Sequence, residues 1–140
     1  MNMKAHTIEE KVGEILSTLG NPFRIQLALA LSGQEACVCH LEALLGQRQA
    51  YISQHLMVLR EASLLDSRRD GKYIYYRLSD PSVIDLIRIA AALAGLDATQ
   101  LTCLQAPRVV DGCHCPHCEG GAGCCSPAYQ RIEEIHATQT

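Results

Sequence analysis

Eight cysteines stand in a chain of 140 residues, and their placement is uneven. None precedes Cys37. Cys37 and Cys39 form a CVC pair, Cys103 stands by itself, and Cys113, Cys115, Cys118, Cys124 and Cys125 crowd into CHCPHCEGGAGCC with His114 and His117. Thiolates are soft ligands, and two or three at close range hold a thiophilic ion far better than one does. Residues two apart share a face where the backbone is extended, so Cys37 and Cys39 can chelate together at a helix entry and would diverge inside a helix. A helix N-terminus also favours the thiolate form. The plainer reading is a buried strand in which both serve as small apolar residues, because free cysteine is among the most buried types. The tail matches no zinc-finger spacing. It reads equally as a second ion-binding site beside the Cys37–Cys39 pair, as the source of a third ligand for that pair, or as a metal-scavenging extension. Cys103 reads first as a helix-end packing residue and only second as a ligand.

Composition limits what these thiols can be for. At 48% hydrophobic and 19% charged, the chain lies in the globular range and is long enough for one core. No apolar run approaches the roughly 20 residues that span a bilayer, so no membrane partner is expected. The start, MNMKAHTIEE, has neither an apolar signal core nor a small-residue cleavage site, which points to the cytoplasm. Thiols in a reducing compartment indicate metal binding or redox chemistry before a disulfide framework. The net charge of -3 hides a local excess of the other sign. Arg48, Arg60, Arg68, Arg69, Lys72 and Arg77 face only Glu61, Asp66 and Asp70 over the same stretch.

The elements that must position these residues can be read from pattern. Thr7 and Glu10 make a capping box for a first helix carrying Ile8, Val12, Ile15, Leu16 and Leu19 up to Gly20. Asn21 caps a second, with Pro22 at its first position and a stop at Ser32 and Gly33. A short third helix is predicted over about residues 40–45, starting at Cys39 or His40 and ended by Gly46. After a turn from Gln47 to Gln49, a fourth runs to about Ala62 with Ile52, Leu56 and Leu59 on its buried face. From Leu65 to Leu78 the period changes to two around Asp70 and Gly71, a β-hairpin signal. Asp80 and Pro81 open a fifth helix, VIDLIRIAAALAG, apolar nearly all round. A small domain has too little core to bury both sides of such a helix, so a homodimer through the first and fifth helices is expected.

Two short helices joined by a turn and followed by a hairpin make a winged helix-turn-helix pattern, mainly α with a β-hairpin wing. A helix fits the major groove of double-stranded operator DNA, where side chains of its first turns reach base edges and basic wing residues meet phosphates or the minor groove. Arg48, Gln49, Tyr51, Ser53, Gln54 and His55 stand at the reading end, and Arg68, Arg69 and Lys72 at the wing. A bundle that never meets DNA can show the same two helices; the hairpin and the local charge weigh against it. His55 also reads as a packed or phosphate-bonded histidine, and Tyr73, Tyr75 and Tyr76 as sheet-packing residues.

The run HLEALLGQRQAYISQHLMVLREASLLDSRRDGKYIYYRL, with CVCHL before it and NPFRIQLALAL earlier, resembles the ArsR/SmtB family of metalloregulatory repressors over about residues 8–96. The resemblance implies a homodimeric winged-helix repressor that leaves its operator when metal or metalloid binds. The arsenic-responsive branch resembles CVC, a polar residue, Leu and a third Cys; Glu42 stands at that third position here. The zinc-sensing branch's set on the last helix has no counterpart, because Ser82, Leu93 and Leu96 occupy its places. The cysteines of the cadmium- and lead-sensing branch at the extreme N-terminus are likewise missing.

The chain therefore reads as residues 1–96, a DNA-binding and dimerisation domain, and residues 97–140, a Cys-rich extension with a terminal helix PAYQRIEEIHA. Its expected function is repression relieved by arsenic(III) or antimony(III) on Cys37 and Cys39. The alternatives are Cd, Pb or Zn as inducer, or a thiol-redox sensor on the same fold. A thiol enzyme would need a CxxC beside a βαβ unit, and Cys115 and Cys118 have none, so the chain is read as no enzyme.

Overall fold

The computed structural model describes residues 6–97 and 101. The expectations for Cys103, Cys113, Cys115, Cys118, Cys124 and Cys125 and for the terminal helix lie outside the described residues.

Helix α1 (Ile8–Leu19) begins at the predicted capping box: the Glu10 N–H donates to the Thr7 hydroxyl at 3.2 Å and the Thr7 N–H to the Glu10 carboxylate at 2.9 Å. Helix α2 (Pro22–Ala30) starts with Asn21 Oδ1 accepting from the N–H groups of Phe23 and Arg24 at 2.9 and 3.3 Å. Pro22 at the first position loses no hydrogen bond, since its missing N–H would have had no intrahelical partner.

A strand of two buried residues follows, β1 (Ala36–Cys37), and then α3 (Val38–Leu45). The helix starts one or two residues before the predicted Cys39 or His40. Cys37 keeps extended angles (φ -84°, ψ 166°) and its sulfur accepts the His40 N–H at 3.4 Å, so a cysteine fills the N-cap place more usual for Ser or Asp. Gly46 ends α3 at φ +64°, a left-handed conformation that glycine adopts without strain. Helix α4 (Gln49–Glu61) buries Ile52, Leu56 and Leu59 as predicted, and begins at Gln49 rather than after it.

Strands β2 (Leu65–Asp70) and β3 (Tyr73–Leu78) form the hairpin, with β1 on the far side of β3 to give the antiparallel order β1-β3-β2. Asp70 pairs with Tyr73, so the two-residue loop is Gly71-Lys72 and not Asp70-Gly71. Gly71 sits at φ +60° in the first loop position, where a type II′ turn requires it. Helix α5 (Ser82–Leu93) is entered through Asp80, whose Oδ1 accepts from the Ser82 N–H at 2.9 Å and hydroxyl at 2.6 Å.

One core joins all of this: Leu27 from α2 and Leu31 at its C-cap, Leu41 from α3, Ile52, Leu56 and Leu59 from α4, and Tyr75 from β3 are each fully buried. α5 contributes Val83, Ile84 and Ile87. The other sides of α1 and α5 stay apolar and open, with Ile8, Val12, Leu16, Ile89 and Leu93 at 50 to 86% exposure. Among the described residues no helix is long and apolar enough to cross a membrane.

Candidate DNA-reading surface and thiol site

Helices α3 and α4 are joined by Gly46, Gln47 and Arg48, so α4 is anchored by the side that carries Ile52, Leu56 and Leu59. That leaves Arg48, Gln49, Ala50, Tyr51, Gln54 and Met57 exposed, while Ser53 and His55 are half-buried. Ala50, Gln54 and Met57 are spaced i, i+4, i+7, one stripe opposite the core. Its amide can hydrogen-bond a base edge, and its apolar members suit a thymine methyl.

His55 is held from the other side. Arg24 Nε donates to His55 Nδ1 at 3.3 Å, and Arg24 Nη1 donates to the Thr18 carbonyl at 2.9 Å. Phe23, Tyr51 and His55 close a ring cluster with centroids 4.6 to 5.2 Å apart. The packed alternative for His55 therefore describes its place: it fastens α4 to α2, and Tyr51 shares that contact while keeping 42% exposure. Arg24 is a positioning residue that sequence reasoning missed, because nothing local distinguishes it from a solvated surface arginine.

Burial, reinforced by the nearby Arg24 charge, lowers the His55 pKa below its ordinary value. A histidine whose folded pKa is depressed contributes stability that is fully present above its unfolded pKa, about 6.5, and lost as pH falls through the folded value. Protonation also removes the lone pair that Arg24 needs. We predict that thermal stability falls as pH drops below about 6.5 in the wild type, and less steeply in His55→Gln. Melts across that range check this; parallel pH profiles for the two proteins would contradict it.

The wing residues do not act alike. Arg69 Nε donates to the Gly71 carbonyl at 3.3 Å, and the Lys72 ammonium lies 5.4 Å from the Tyr73 ring centre, both at the hairpin tip. Arg68 instead turns back. Its Nε donates to Glu35 Oε2 at 2.7 Å, its Nη2 pairs with Oε1, and its guanidinium carbon lies 4.6 Å over the Tyr75 ring. The Glu35 hydrogen bond holds the Arg68 pKa above its ordinary value. Glu35 and Tyr75 were not predicted as site residues; only pairing across the sheet brings them to Arg68.

The two cysteines come together as the spacing predicts. The Cys37 and Cys39 sulfurs are 2.9 Å apart, Cys37 buried as the cap of α3 and Cys39 half-buried as the second helical residue. This works because Cys37 is still extended: the pair straddles the helix boundary. Glu42, at the position of the missing third thiol, is exposed on α3. Among the described residues no three His, Cys, Asp or Glu side chains gather to hold an ion.

Residues 21–67 match the profile of the family described as "Bacterial regulatory protein, arsR family". The chain is 43% identical over 83 residues to the biofilm growth-associated repressor of Agrobacterium fabrum, covering 59% of this chain and 71% of that one. It is 43% identical over 67 residues to the arsenical resistance operon repressor of Escherichia coli, 47% of this chain and 57% of that protein. The crystal structure of the transcriptional repressor BigR from Xylella fastidiosa superposes with a TM-score of 0.55 at 35% identity, over 59% of this chain and 85% of that one. These relatives and this fold are those of DNA-binding transcriptional regulators, not enzymes. A profile match over the α2–α4 region, a relative aligned over more than two thirds of its length, and a shared winged helix-turn-helix together settle the lineage: the chain belongs to the ArsR/SmtB family of transcriptional repressors.

Proposed function

We propose that the protein is a cytoplasmic, homodimeric repressor that holds double-stranded operator DNA through α4 and the wing. It is released when Cys37 and Cys39 bind trivalent arsenic or antimony. The observation that carries this reading is the 2.9 Å sulfur contact at the cap of α3, the helix that packs directly beside the reading helix. Soft thiolates favour thiophilic ions, and a ligand that engages the cap changes how α3 begins. The similarity to a repressor of arsenical resistance supports the choice of metalloid. The open apolar sides of α1 and α5 support the dimer and its helices.

Release requires that the ion bind the DNA-free arrangement better than the DNA-bound one. A coupling of about 1 to 3 kcal/mol changes operator affinity roughly 5- to 150-fold. The test is fluorescence anisotropy on duplex DNA that the protein itself selects from a randomised pool, titrated with arsenite, antimonite, cadmium, lead and zinc. Arsenite and antimonite are expected to release the DNA at the lowest concentrations. Release by cadmium, lead or zinc at lower concentration would transfer the assignment to that ion.

The same contact favours a second reading, since two sulfurs at 2.9 Å need little movement to form a disulfide. Hydrogen peroxide would then release the DNA with no metal present, and a thiol reductant would restore binding. The tail cysteines Cys103, Cys113, Cys115, Cys118, Cys124 and Cys125 enter only as a source of a third sulfur or as a second site.

A further inference from the structure

The three-stranded sheet places one row of residues side by side: Cys37 on β1 is opposite Tyr75 on β3, and Tyr75 is opposite Arg68 on β2. Tyr75 is 1% exposed, so its position is set by the core. Arg68 lies over its ring, and the same guanidinium grips Glu35 with two hydrogen bonds. Glu35 is two residues before Cys37 in the chain. The contacts thus close a circuit, from Cys37 across the sheet to Tyr75 and Arg68 and back through Glu35 and Ala36 to Cys37.

We propose that Glu35 and Arg68 are positioning residues that transmit occupancy of the Cys37–Cys39 pair to the wing. This inference rests on the thiol-sensor reading above. β1 is two residues long and touches β3 at only two register positions, so a change at the Cys37 cap is not absorbed along a longer strand. It passes to Glu35, which is held directly to the wing strand. A fork of two parallel N–H to carboxylate bonds fixes direction as well as distance, which a single-point contact does not. Arg68 adjoins Arg69, so a shift of β2 at this point moves the tip charges that stand ready for phosphate.

An exposed ion pair contributes little to folding stability, so the circuit's consequence is positional. It makes Arg68 different from Arg69 and Lys72: its charge is committed to the protein. A physical coupling route needs contiguous contacts and an element that both sites bias, and β1 with its Glu35–Arg68 tie supplies the contiguous part. The element that both sites bias is the orientation of the wing relative to α3.

The experiment compares wild type, Glu35→Gln and Cys37→Ser/Cys39→Ser as full chains. Operator affinity is measured with and without arsenite, together with the number of thiols that arsenite shields from a thiol reagent. Glu35→Gln is expected to bind free operator at least as tightly as wild type and to shield as many thiols. Its arsenite-induced loss of operator affinity should be smaller by about fivefold or more. Release of Glu35→Gln by the same factor as wild type would overturn the link and leave the sensor reading standing. If wild type and Cys37→Ser/Cys39→Ser shield equal numbers of thiols, the sensor reading falls and the link falls with it. Circular dichroism melts guard the comparison: a role confined to folding would shift the melt, whereas transmission shifts only the coupling.

Discussion

A chain carrying Leu16→Glu and Leu93→Glu is expected to be monomeric and to bind operator more weakly than wild type by on the order of 100-fold. Leu16 and Leu93 are 52 and 86% exposed; Ile8 and Val12 stand with Leu16 at helical spacing on α1, as Ile89 does with Leu93 on α5. An apolar groove lined by Leu16 and Leu19 of α1 and by Leu86 and Ile87 of α5, among others, lies between the two helices. Contiguous apolar surface of this kind marks an association site. Two reading helices joined in one dimer engage two half-sites, and the second contact becomes intramolecular once the first is made. Charge placed on these two helices is expected to separate the copies and leave single half-site binding. Because both leucines are open in the single chain, the folded monomer should keep its helical circular dichroism signal. Sedimentation velocity and operator anisotropy check the two halves of the result. A double variant that sediments as wild type would place the dimer elsewhere.

Elements whose signals are local were legible in the sequence. The capping box at Thr7 and Glu10, the Asn21-Pro22 start, the left-handed Gly46 and the buried stripe of α4 all stand where residue chemistry predicts. The exceptions share a physical cause. β1 is too short for a period of two to show, and its existence depends on Tyr75 and Tyr76, which pair with Cys37 and Ala36 from 38 and 40 residues further on. The hairpin turn moved one residue because Asp70 satisfies its pairing with Tyr73, leaving Gly71 to take the positive φ. The start of α3 moved because a cysteine sulfur, rarely considered as a cap, accepts the His40 amide.

The site divides in the same way. That Cys37 and Cys39 could meet followed from their spacing and the helix boundary. That Arg68 turns away from the wing tip did not, because Glu35 is 33 residues from it in sequence. His55 was legible as a packing candidate but its partner Arg24, 31 residues away on α2, was not. Patterns along a helix say which side is buried; they do not say which distant polar side chain meets it.

The second large effect concerns the sensor. Cys37→Ser/Cys39→Ser is expected to keep operator binding, because neither residue lies on the exposed stripe of α4 or at the wing tip. Serine is itself a good N-cap, so the α3 entry that Cys37 now holds through the His40 amide is retained. What the variant lacks is the soft donor pair, and a hydroxyl is a poor substitute for a thiolate toward a thiophilic ion. The whole inducer response, roughly 5- to 150-fold in operator affinity, should therefore disappear. The direct measurement is the arsenite concentration that dissociates half of a labelled operator complex, wild type against the double serine variant. The wild-type complex should dissociate, and the variant should stay bound through the same titration. Dissociation of both at the same arsenite concentration would show that the CVC pair is not the sensor.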